Sequence, residues 1–510
     1  MLAKVYSYGL SGLEAFRVTI EVDVTNGLPA TVIVGLPDNA VKESKERVRS
    51  AIKNSGYPFS LQRLTVNLSP ADIKKEGSAF DLAIAIGILA ASGQIEPANI
   101  KQYIFLGQLS LDGKLQPVNG GLSIAMSAPK GRYRGIILPK ANAKEAALVK
   151  GIDIFPMEHL TEVVNFLYNE KDMAPFRVDI EKLFETAQTY DIDFAEVKGQ
   201  THVKRGLEIA AAGGHNTLLI GPPGSGKTML ARRLATILPD MTLEESLETT
   251  RIHSAAGLLP VQKGLLATRP FRAPHHTSSA IALVGGGSHP RPGEVTLSHN
   301  GLLFLDELPE FPRNVLEALR QPLEDEFVTI ARASKTLQFP AKFMLVCAMN
   351  PTPQGHFPNT AEGGYISTYQ MQKYLSKVSA PLLDRIDIHL EVPALKSKEI
   401  FSGTVGESSA CIKERTGKAR KTQLQRFKQS RIFANAQMTQ KHLKEFCTLD
   451  ERGEKLLTMA IDELSLSARA HDKILKVART IADLEEEENI AERHIAEAVQ
   501  YRSLDRNWWG

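Results

Sequence analysis

The run GPPGSGKT could bind the phosphates of a nucleotide. It fits the pattern GxxxxGK[ST] in full, and it stands between an apolar strand and the start of a helix, which is the context that the pattern requires. Its glycines would expose backbone N–H groups to phosphate oxygens, Lys227 would neutralise the β- and γ-phosphates, and the Thr228 hydroxyl would bind Mg²⁺. The sequence therefore predicts ATP and Mg²⁺ as ligands of Gly221, Pro222, Pro223, Gly224, Ser225, Gly226, Lys227 and Thr228.

Hydrolysis needs carboxylates beside this loop, and the run GLLFLDE supplies two. Its apolar residues predict a buried parallel strand that delivers Asp306 and Glu307 to the sheet edge where ligands bind. Asp306 is placed to hold Mg²⁺ through water, and Glu307 to orient and activate the attacking water. A further strand, KFMLVCAMN, ends at Asn350, where a γ-phosphate and its water could be sensed.

The elements that must position these residues alternate between strands and helices from Phe194 to about Pro393, which is typical of a doubly wound sheet. The charged stretch before them, residues 169–193, is predicted to be a linker with one short helix. After Pro393 only helices are predicted, and Ser467 or an adjacent residue is expected to cap one of them. Their expected ranges are about 410–430, 440–448, 450–464, 468–487 and 492–501.

From Val5 to about Leu167 the pattern predicts an α+β unit. Residues 16–24 alternate with period two, Asn26-Gly27 suits a tight turn, and residues 31–34 are predicted to return as the hairpin partner. The expected fold class is thus multidomain α/β with an all-α C-terminal part. The predicted domains are residues 1–168, a linker at 169–193, a core at 194–393 and a helical domain at 394–510.

The 510 residues, with 43% hydrophobic and 23% charged side chains, have the composition of an average soluble protein and need several domains. The longest apolar stretch, residues 79–92, is shorter than the roughly 20 residues that span a bilayer. No secretory leader is visible, so we expect a cytoplasmic protein without a membrane partner. Cys347, Cys411 and Cys447 lie far apart, which fits a reducing compartment.

Together these motifs resemble those of the AAA+ ATPases. The resemblance implies that Arg385, in SAPLLDRID, is an arginine finger that reaches the nucleotide of a neighbouring subunit. It also implies that Arg469, in LSLSARA, is the sensor-2 arginine of a helical lid. A surface ion pair is the alternative for either arginine. A finger that acts on a neighbour implies a homo-oligomeric ring, usually a hexamer.

Two longer segments, RPFRAPHHTSSAIALVGGGSHPRPGEVTLSHNGLLFLDEL and SARAHDKILKVARTIADL, resemble the magnesium-chelatase-like branch of the AAA+ family. With the N-terminal region included, the resemblance narrows to the YifB/ComM group. It implies a helicase that promotes DNA branch migration while transforming DNA is integrated, with recombination proteins as partners. His275 and His276 are not predicted to bind a metal, because adjacent side chains are expected to point apart. Thr352 and Gln354 stand where relatives often carry cysteines, so no zinc role is inferred for that loop.

The N-terminal region resembles the Lon-protease-type domain through KKEGSAFDLA and GQLSLDGKLQPVNGGL. Lon chemistry needs a serine nucleophile and a lysine base within hydrogen-bond reach. The nucleophile position falls on Ala79, with Ser78 one residue away, and the lysine position falls on Ser123. The resemblance therefore implies a Lon-like fold without peptidase activity.

Candidate DNA contacts lie in EFVTIARASKTLQFP, which predicts two strands around an Ala333-Ser334 turn. Arg332, Ser334 and Lys335 at its tip are predicted to bind phosphates without sequence preference, and a solvated hairpin is the alternative. Arg272, in a Gly-rich insertion, is a further candidate. Residues 413–431 hold eight Lys or Arg and one Glu, and they could contact DNA, an adjacent subunit or only solvent.

Two other functions fit part of this pattern. One is the motor subunit of a metal-chelatase complex, against which the Lon-like region argues. The other is a protein-remodelling ATPase, whose pore loop is expected to be aromatic and apolar, unlike the Arg-Ala-Ser-Lys tip of the predicted hairpin.

Overall fold

The computed structural model describes residues 2–59, 62–95, 99–129, 131–168, 173–287, 290–332, 335–355, 368–395, 406–430, 432–464 and 466–502. They form two compact units. The first unit comprises Met1–Gln188 together with Leu243–Ala267, and the second unit comprises Thr189–Thr242 together with Thr268–Gly510. Residues 243–267, which the sequence assigns to the core domain, therefore belong to the first unit.

A seven-stranded mixed sheet forms the centre of the first unit, in the order β3-β4-β2-β1-β5-β8-β9, and β6 and β7 form a separate pair. The strands are β1 (Leu2–Ser11), β2 (Glu14–Thr25), β3 (Ala30–Val34), β4 (Arg63–Ser69), β5 (Tyr103–Phe105), β6 (Gln108–Leu109), β7 (Leu115–Gln116), β8 (Gly135–Pro139) and β9 (Asp153–Met157).

The predicted hairpin between β2 and β3 is wrong. Strand β2 forms its hairpin with β1 around Gly12, whose φ of 65° suits glycine. The other edge of β2 pairs antiparallel with β4 from Thr19 to Thr25, so that edge is not available to β3. Strand β3 instead runs parallel to β4, on the outside of the sheet.

The α-helices in the described part of the first unit are α1 (Asn39–Asn54), α2 (Asp81–Ala91), α3 (Gly121–Ser127), α4 (Ala143–Ala146), α5 (Leu160–Tyr168), α6 (Ile180–Thr186) and α9 (Leu243–Ala255). Helix α1 begins where Asp38 accepts a hydrogen bond from the Val41 N–H at 2.8 Å. Helix α2 is buried along its whole length, as its nearly uniform apolar sequence requires. The short helix predicted within residues 169–193 is α6.

The segment Leu243–Ala267 is bound to the first unit by apolar and polar contacts. Leu265 and Leu247 pack in one cluster with Leu122 and Leu148. Arg251 donates to the Leu13 carbonyl at 2.9 Å and forms an ion pair with Glu14 at 2.7 Å. Sequence periodicity alone could not reveal this placement, because the partners of the segment lie more than 90 residues away.

The second unit is built on a five-stranded parallel sheet in the order β11-β14-β17-β10-β18, which confirms the predicted parallel arrangement. Two antiparallel pairs, β12 with β13 and β15 with β16, lie outside that sheet. The strands are β10 (Thr217–Ile220), β11 (Phe271–Arg272), β12 (Gly285–Gly286), β13 (Arg291–Pro292), β14 (Leu302–Leu305), β15 (Phe327–Arg332), β16 (Lys335–Pro340), β17 (Met344–Met349) and β18 (Ile388–Glu391).

Helix α7 (Thr201–Gly213) precedes β10, and the helices between the strands are α8 (Lys227–Ile237), α10 (Ala280–Val284), α11 (Glu294–Leu297), α12 (Arg313–Glu317), α13 (Arg320–Asp325), α14 (Thr368–Leu375) and α15 (Ala380–Leu383). The C-terminal helices are α16 (Ser409–Arg426), α17 (Gln440–Phe446), α18 (Glu451–Leu464), α19 (Ala468–Leu484) and α20 (Glu492–Gln500). Ser467 caps α19, as predicted, by accepting from the Ala470 N–H at 3.3 Å.

The C-terminal helices and the parallel sheet share one apolar core. Leu390 of β18 belongs to the same buried cluster as Ile474 and Ile481 of α19. The sequence divides this region into two domains, whereas the structure packs both parts into the second unit. In the described ranges of the chain, no helix has the length and apolar character that a bilayer crossing needs.

Candidate nucleotide-binding site

The glycine-rich loop joins β10 to α8 and is shaped by its glycines. Gly224 and Gly226 have φ values of 76° and 90°, which residues with a side chain rarely adopt. At Gly221 a Cβ atom would lie 2.2 Å from the Val392 carbonyl oxygen, so only glycine fits. The backbone therefore takes a turn that directs the loop into the N-terminus of α8, the position at which phosphates bind in such loops.

Lys227 is the first residue of α8, and its ammonium group is enclosed by acceptors. Its Nζ donates to the carbonyl oxygens of Gly221 at 2.6 Å and Pro222 at 2.9 Å, and to Oδ1 of Asn350 at 3.2 Å. Burial lowers the pKa of Lys227, and the negative charges of the two acids after β14 oppose that shift. The predicted phosphate-binding lysine and the predicted sensing asparagine thus lie together.

Thr228 and Asp306 form the oxygen-rich part of the site. The Thr228 hydroxyl donates to Oδ2 of Asp306 at 2.7 Å, and Oδ1 of Asp306 accepts from the Glu307 N–H at 3.0 Å. A hydroxyl and a carboxylate are ligands of the kind that Mg²⁺ prefers, and Mg²⁺ is usually bound by one or two carboxylates, water and nucleotide phosphates. The donor set fits that ion.

Asn350 is placed by sheet pairing. Strand β17 lies next to β10, with Met349 opposite Ile220, so the residue after each strand reaches the same edge. The Tyr374 hydroxyl donates to the Asn350 carbonyl at 3.1 Å, and burial raises the pKa of Tyr374. This hydrogen bond links α14 to the end of β17.

Glu307 has a neighbour that the sequence did not indicate. Its Oε2 lies 3.2 Å from Nδ1 of His276, in the loop after β11. The imidazoles of His275 and His276 have centroids 4.1 Å apart, so the expectation that these side chains point apart is wrong. Because 30 residues separate His276 from Asp306, only the parallel pairing of β11 with β14 brings the loop to the acids.

Arg385 and Arg469 lie in a second group, the arginine cluster, which also contains Arg320. Arg469 donates to Asp384 at 2.8 Å, and Arg385 forms an ion pair with Glu324. Burial lowers the pKa of Arg385, and the positive charges of Arg320 and Arg469 lower it further. Among the described residues, the buried Nε of Arg385 has no hydrogen-bond partner.

The two strands of the hairpin that is predicted around Ala333-Ser334 are confirmed. β15 and β16 pair antiparallel, and Arg332 is opposite Lys335. Ser334 lies outside the described residues. Arg272 is held elsewhere, because its guanidinium forms a bidentate pair with Glu294 at 2.6 and 2.8 Å. Arg272 therefore fixes the loop after β11 to α11, and a phosphate would have to displace Glu294 to bind it.

The basic stretch is helical from residue 413 to Arg426, where α16 ends, and acidic residues distant in sequence neutralise much of the charge of this helix. Lys413 pairs with Asp240 at 2.8 Å, Arg415 pairs with Glu208 at 2.5 Å, and Arg426 pairs with Asp483 at 2.5 Å. The local charge count therefore overstates how basic this surface is.

In the first unit, the two positions that correspond to the Lon dyad hold neither the serine nucleophile nor the lysine base. Ala79 replaces the nucleophile, and Ser123 at the lysine position is buried. The Arg251 Nε lies 3.3 Å from the Ser123 hydroxyl oxygen. A guanidinium, which remains protonated, thus neighbours the position where Lon chemistry needs a neutral amine.

Comparison with known proteins agrees with this architecture. Residues 193–400 match the model described as magnesium chelatase, subunit ChlI, residues 20–142 match subunit ChlI of Mg-chelatase, and residues 406–502 match the ChlI C-terminal model. The chain is 46% identical to competence protein ComM of Haemophilus influenzae over 99% of this chain and 98% of ComM. It is 44% identical to YifB of Salmonella typhimurium over 99% of this chain and 98% of YifB.

A weaker similarity concerns part of the chain only. Lon protease of Brevibacillus choshinensis is 24% identical over 28% of this chain and 20% of its own length.

The parallel sheet, the glycine-rich loop and the acids after β14 define a magnesium-chelatase-like protein of the AAA+ class. Within that class, the chain belongs to the YifB/ComM family.

Proposed function

We propose that this protein is an ATP-hydrolysing, Mg²⁺-dependent DNA translocase that assembles as a ring, usually of six copies, and promotes branch migration during recombination of incoming DNA. The observation that carries the ATPase part is the contact between Thr228 and Asp306 at 2.7 Å, beside the Lys227 ammonium. Bound Mg²⁺ supplies charge neutralisation for the phosphates. Lys227 binds the β- and γ-phosphates, Asn350 contacts the γ-phosphate, and Glu307 accepts a proton from the attacking water.

The proposal that the protein forms a ring rests on Arg385. The partly buried guanidinium of Arg385 has the positive charges of Arg320 and Arg469 beside it. Each of the three is paired with a carboxylate, and a polyanion that bound Arg385 would take the place of Glu324. A nucleotide held by a neighbouring copy is such an anion, and Arg385 would stabilise charge in its transition state. Each copy then contributes Lys227 and Glu307 to its own site and Arg385 to another.

DNA is proposed as the polymer on which the ring acts. The support is the relative ComM, whose name denotes a competence protein, and the antiparallel hairpin β15–β16 with basic residues at its end. Arg332 and Lys335 would contact backbone phosphates and give binding without sequence preference. Such work would be done in the cytoplasm, with recombination proteins as partners.

A direct experiment tests this proposal. ATPase rates would be measured with and without forked and four-way DNA, and strand displacement on the same substrates, with Lys227→Ala and Glu307→Gln as inactive controls. Stimulation by DNA and ATP-dependent strand displacement are expected. A wild-type protein that hydrolyses ATP but neither responds to DNA nor displaces a strand would overturn the DNA proposal.

The second candidate function is the motor subunit of a metal chelatase, because three family models that are named for subunit ChlI of magnesium chelatase match the chain. It would require a separate porphyrin-binding subunit for activity. ATPase stimulation by a porphyrin-binding partner, with none by DNA, would favour this function.

A further inference from the structure

The first unit carries an arginine packed against a tyrosine on one face of its sheet. Val5 and Val18 belong to the buried apolar cluster of the opposite face. Because side chains alternate along a strand, Tyr6 of β1 and Arg17 of β2 lie on the other side. Tyr6 is opposite Thr19, so Arg17 lies diagonally across from Tyr6. The guanidinium carbon of Arg17 is 5.6 Å from the centre of the Tyr6 ring.

A second contact of the same kind lies beside the first. The guanidinium carbon of Arg132 is 5.9 Å from the centre of the Tyr133 ring. The rings of Tyr6 and Tyr133 meet edge to face, with centroids 5.6 Å apart and an interplanar angle of 65°. Burial raises the pKa of Tyr8, and the positive charges of Arg17 and Arg132 oppose that shift. Two arginines and two tyrosines thus form one group, which we call the Arg–Tyr patch.

The positive charge of the Arg–Tyr patch is not neutralised by acids. Arg17 and Arg132 are exposed, and within the described ranges neither has a carboxylate partner. Arg272, by contrast, is held by two hydrogen bonds to Glu294. The two guanidiniums of the patch can therefore bind an anion without first breaking an ion pair.

A guanidinium that lies on an aromatic ring suits an unpaired nucleotide. A nucleobase can stack on the exposed side of the guanidinium plane, and the same charged group attracts phosphate oxygens. The ring beneath restrains the arginine side chain, so less conformational freedom is lost when a ligand binds. A duplex keeps its bases stacked inside its own helix and offers such a patch only its phosphates. The arrangement therefore favours a single strand over a duplex, without sequence preference, because every base has a π-face.

We propose that Arg17 and Arg132, each packed against a tyrosine ring, form a binding site for single-stranded DNA on the first unit. The site is distinct from the hairpin β15–β16, which belongs to the second unit. The Arg–Tyr patch binds an unpaired strand through its bases as well as its phosphates, whereas the hairpin is proposed to contact the backbone alone. This inference rests on the proposed function, from which the choice of DNA is taken.

The test measures binding of the full-length protein to a fluorescent oligothymidylate and to a duplex of equal length, by anisotropy over a range of salt concentrations. Arg17→Ala combined with Arg132→Ala should weaken binding of the single strand roughly tenfold or more, the effect of losing stacked bases. The salt slope for the single strand should fall by about 1.4, and binding of the duplex should change less. Lys42→Ala with Lys45→Ala, exposed on α1 at the opposite face of the sheet, is the matched control and should resemble wild type.

Two conservative variants separate charge from stacking. Arg17→Lys keeps the charge but has no planar group, so the salt slope should persist while the preference for the single strand falls. Tyr6→Phe keeps the ring beneath Arg17 and should retain both properties. A bromouracil-substituted single strand should crosslink, on illumination, to the segments that carry Tyr6, Arg17 and Arg132.

The results also distinguish this site from the proposed function. Unchanged affinity and salt slope in the double arginine variant would overturn the inference, and so would crosslinks confined to the second unit. Equal losses for single strand and duplex would overturn it as well, because they would show a contact with phosphates alone. A wild-type protein that binds neither DNA refutes the proposed function itself. Normal DNA binding by wild type and by the double variant refutes only the Arg–Tyr patch.

Discussion

The guanidinium of Arg469 lies 2.8 Å from the carboxylate of Asp384, the residue that immediately precedes Arg385. Two arginines from segments more than 80 residues apart in sequence are thereby brought into one cluster at the end of α15 and the start of α19. Each arginine of the cluster is paired with a carboxylate, and the partner of Arg385 is Glu324. A phosphate of a neighbouring nucleotide would have to displace Glu324 to bind Arg385.

Arg385→Ala should reduce kcat for ATP hydrolysis by about 10³-fold or more, the effect of losing an arginine finger, while ATP still binds. Steady-state hydrolysis and binding of a fluorescent nucleotide measure the two properties. Arg452→Ala, an exposed arginine on α18, serves as the control. Mixing Arg385→Ala with Glu307→Gln protein should restore some activity, since a mixed ring contains complete sites. Absence of recovery would argue that Arg385 serves its own subunit.

Thr228→Ala should lower the ATPase rate at least about tenfold and raise the Mg²⁺ concentration needed for half-maximal activity, because the hydroxyl that binds Asp306 is lost. Thr228→Ser keeps the hydroxyl and should stay close to wild type. A Mg²⁺ titration of hydrolysis measures both variants. An identical Mg²⁺ dependence in Thr228→Ala and wild type would remove Thr228 from the metal site.

Arg332→Ala combined with Lys335→Ala should weaken DNA binding and flatten its salt dependence while basal hydrolysis persists. Each lost phosphate contact reduces the slope of log K against log salt by about 0.7 to 0.9, so the pair should reduce it by roughly 1.4 to 1.8. Fluorescence anisotropy over a range of salt concentrations measures the slope. Lys42→Ala with Lys45→Ala, on the exposed face of α1, is the matched control. Equal slopes in all three proteins would exclude the hairpin as a DNA contact.

Asp387 gives a pH-dependent contribution to stability. Burial alone would raise its pKa, but the contact with His215 at 3.0 Å and the positive charges of Lys473 and Lys476 hold the pKa of Asp387 at about 2. The ordinary value is about 3.9, so the native state favours the ionised form by about 2 to 3 kcal/mol. That stability is fully present above pH of about 4 and is lost as the pH falls toward 2.

Asp387→Asn should therefore be less stable than wild type near neutral pH, and the difference should shrink as the pH falls from about 4 to 2. Unfolding of the second unit by denaturant at several pH values measures this difference in stability. Asp191→Asn, an exposed carboxylate of the same unit, should show little pH-dependent difference. A stability difference in Asp387→Asn that stays constant from pH 7 to pH 2 would contradict the assignment.

The first unit should not react as a peptidase. Ser123 stands at the lysine position, and the Arg251 guanidinium beside it cannot act as a base. A serine-directed fluorophosphonate should label wild type and Ser78→Ala to the same low extent. Labelling that depends on Ser78 would show an active nucleophile and overturn the prediction of an inactive fold.

The arrangement of the glycine-rich loop and of the acids after β14 was predictable because local sequence determines it. A glycine-rich loop between a strand and a helix, and acids at the end of an apolar strand, are patterns within about ten residues, and parallel pairing brings their ends together. The C-terminal helices were predictable for the same reason, since Ser467 and the helical period lie in the helices themselves.

What the sequence did not reveal depends on partners distant along the chain. The contact of His276 with Glu307, the pairing of Arg272 with Glu294 and the neutralisation of Lys413 by Asp240 are all set by tertiary structure. A period-two pattern fixes which residues face the core, but it does not choose the partner strand, so the predicted partner of β3 was wrong.

The chain passes from one unit to the other after Gln188, after Thr242 and after Ala267. A gene truncated to begin at residue 189 would still encode Leu247 and Leu265 but would lack Leu122 and Leu148, on which they pack. The fragment would expose that apolar surface and be prone to aggregate. The first unit is thus encoded by two separate stretches of the gene, so a single deletion cannot remove it. A gene that encodes the second unit alone must also lack or replace the codons for residues 243–267.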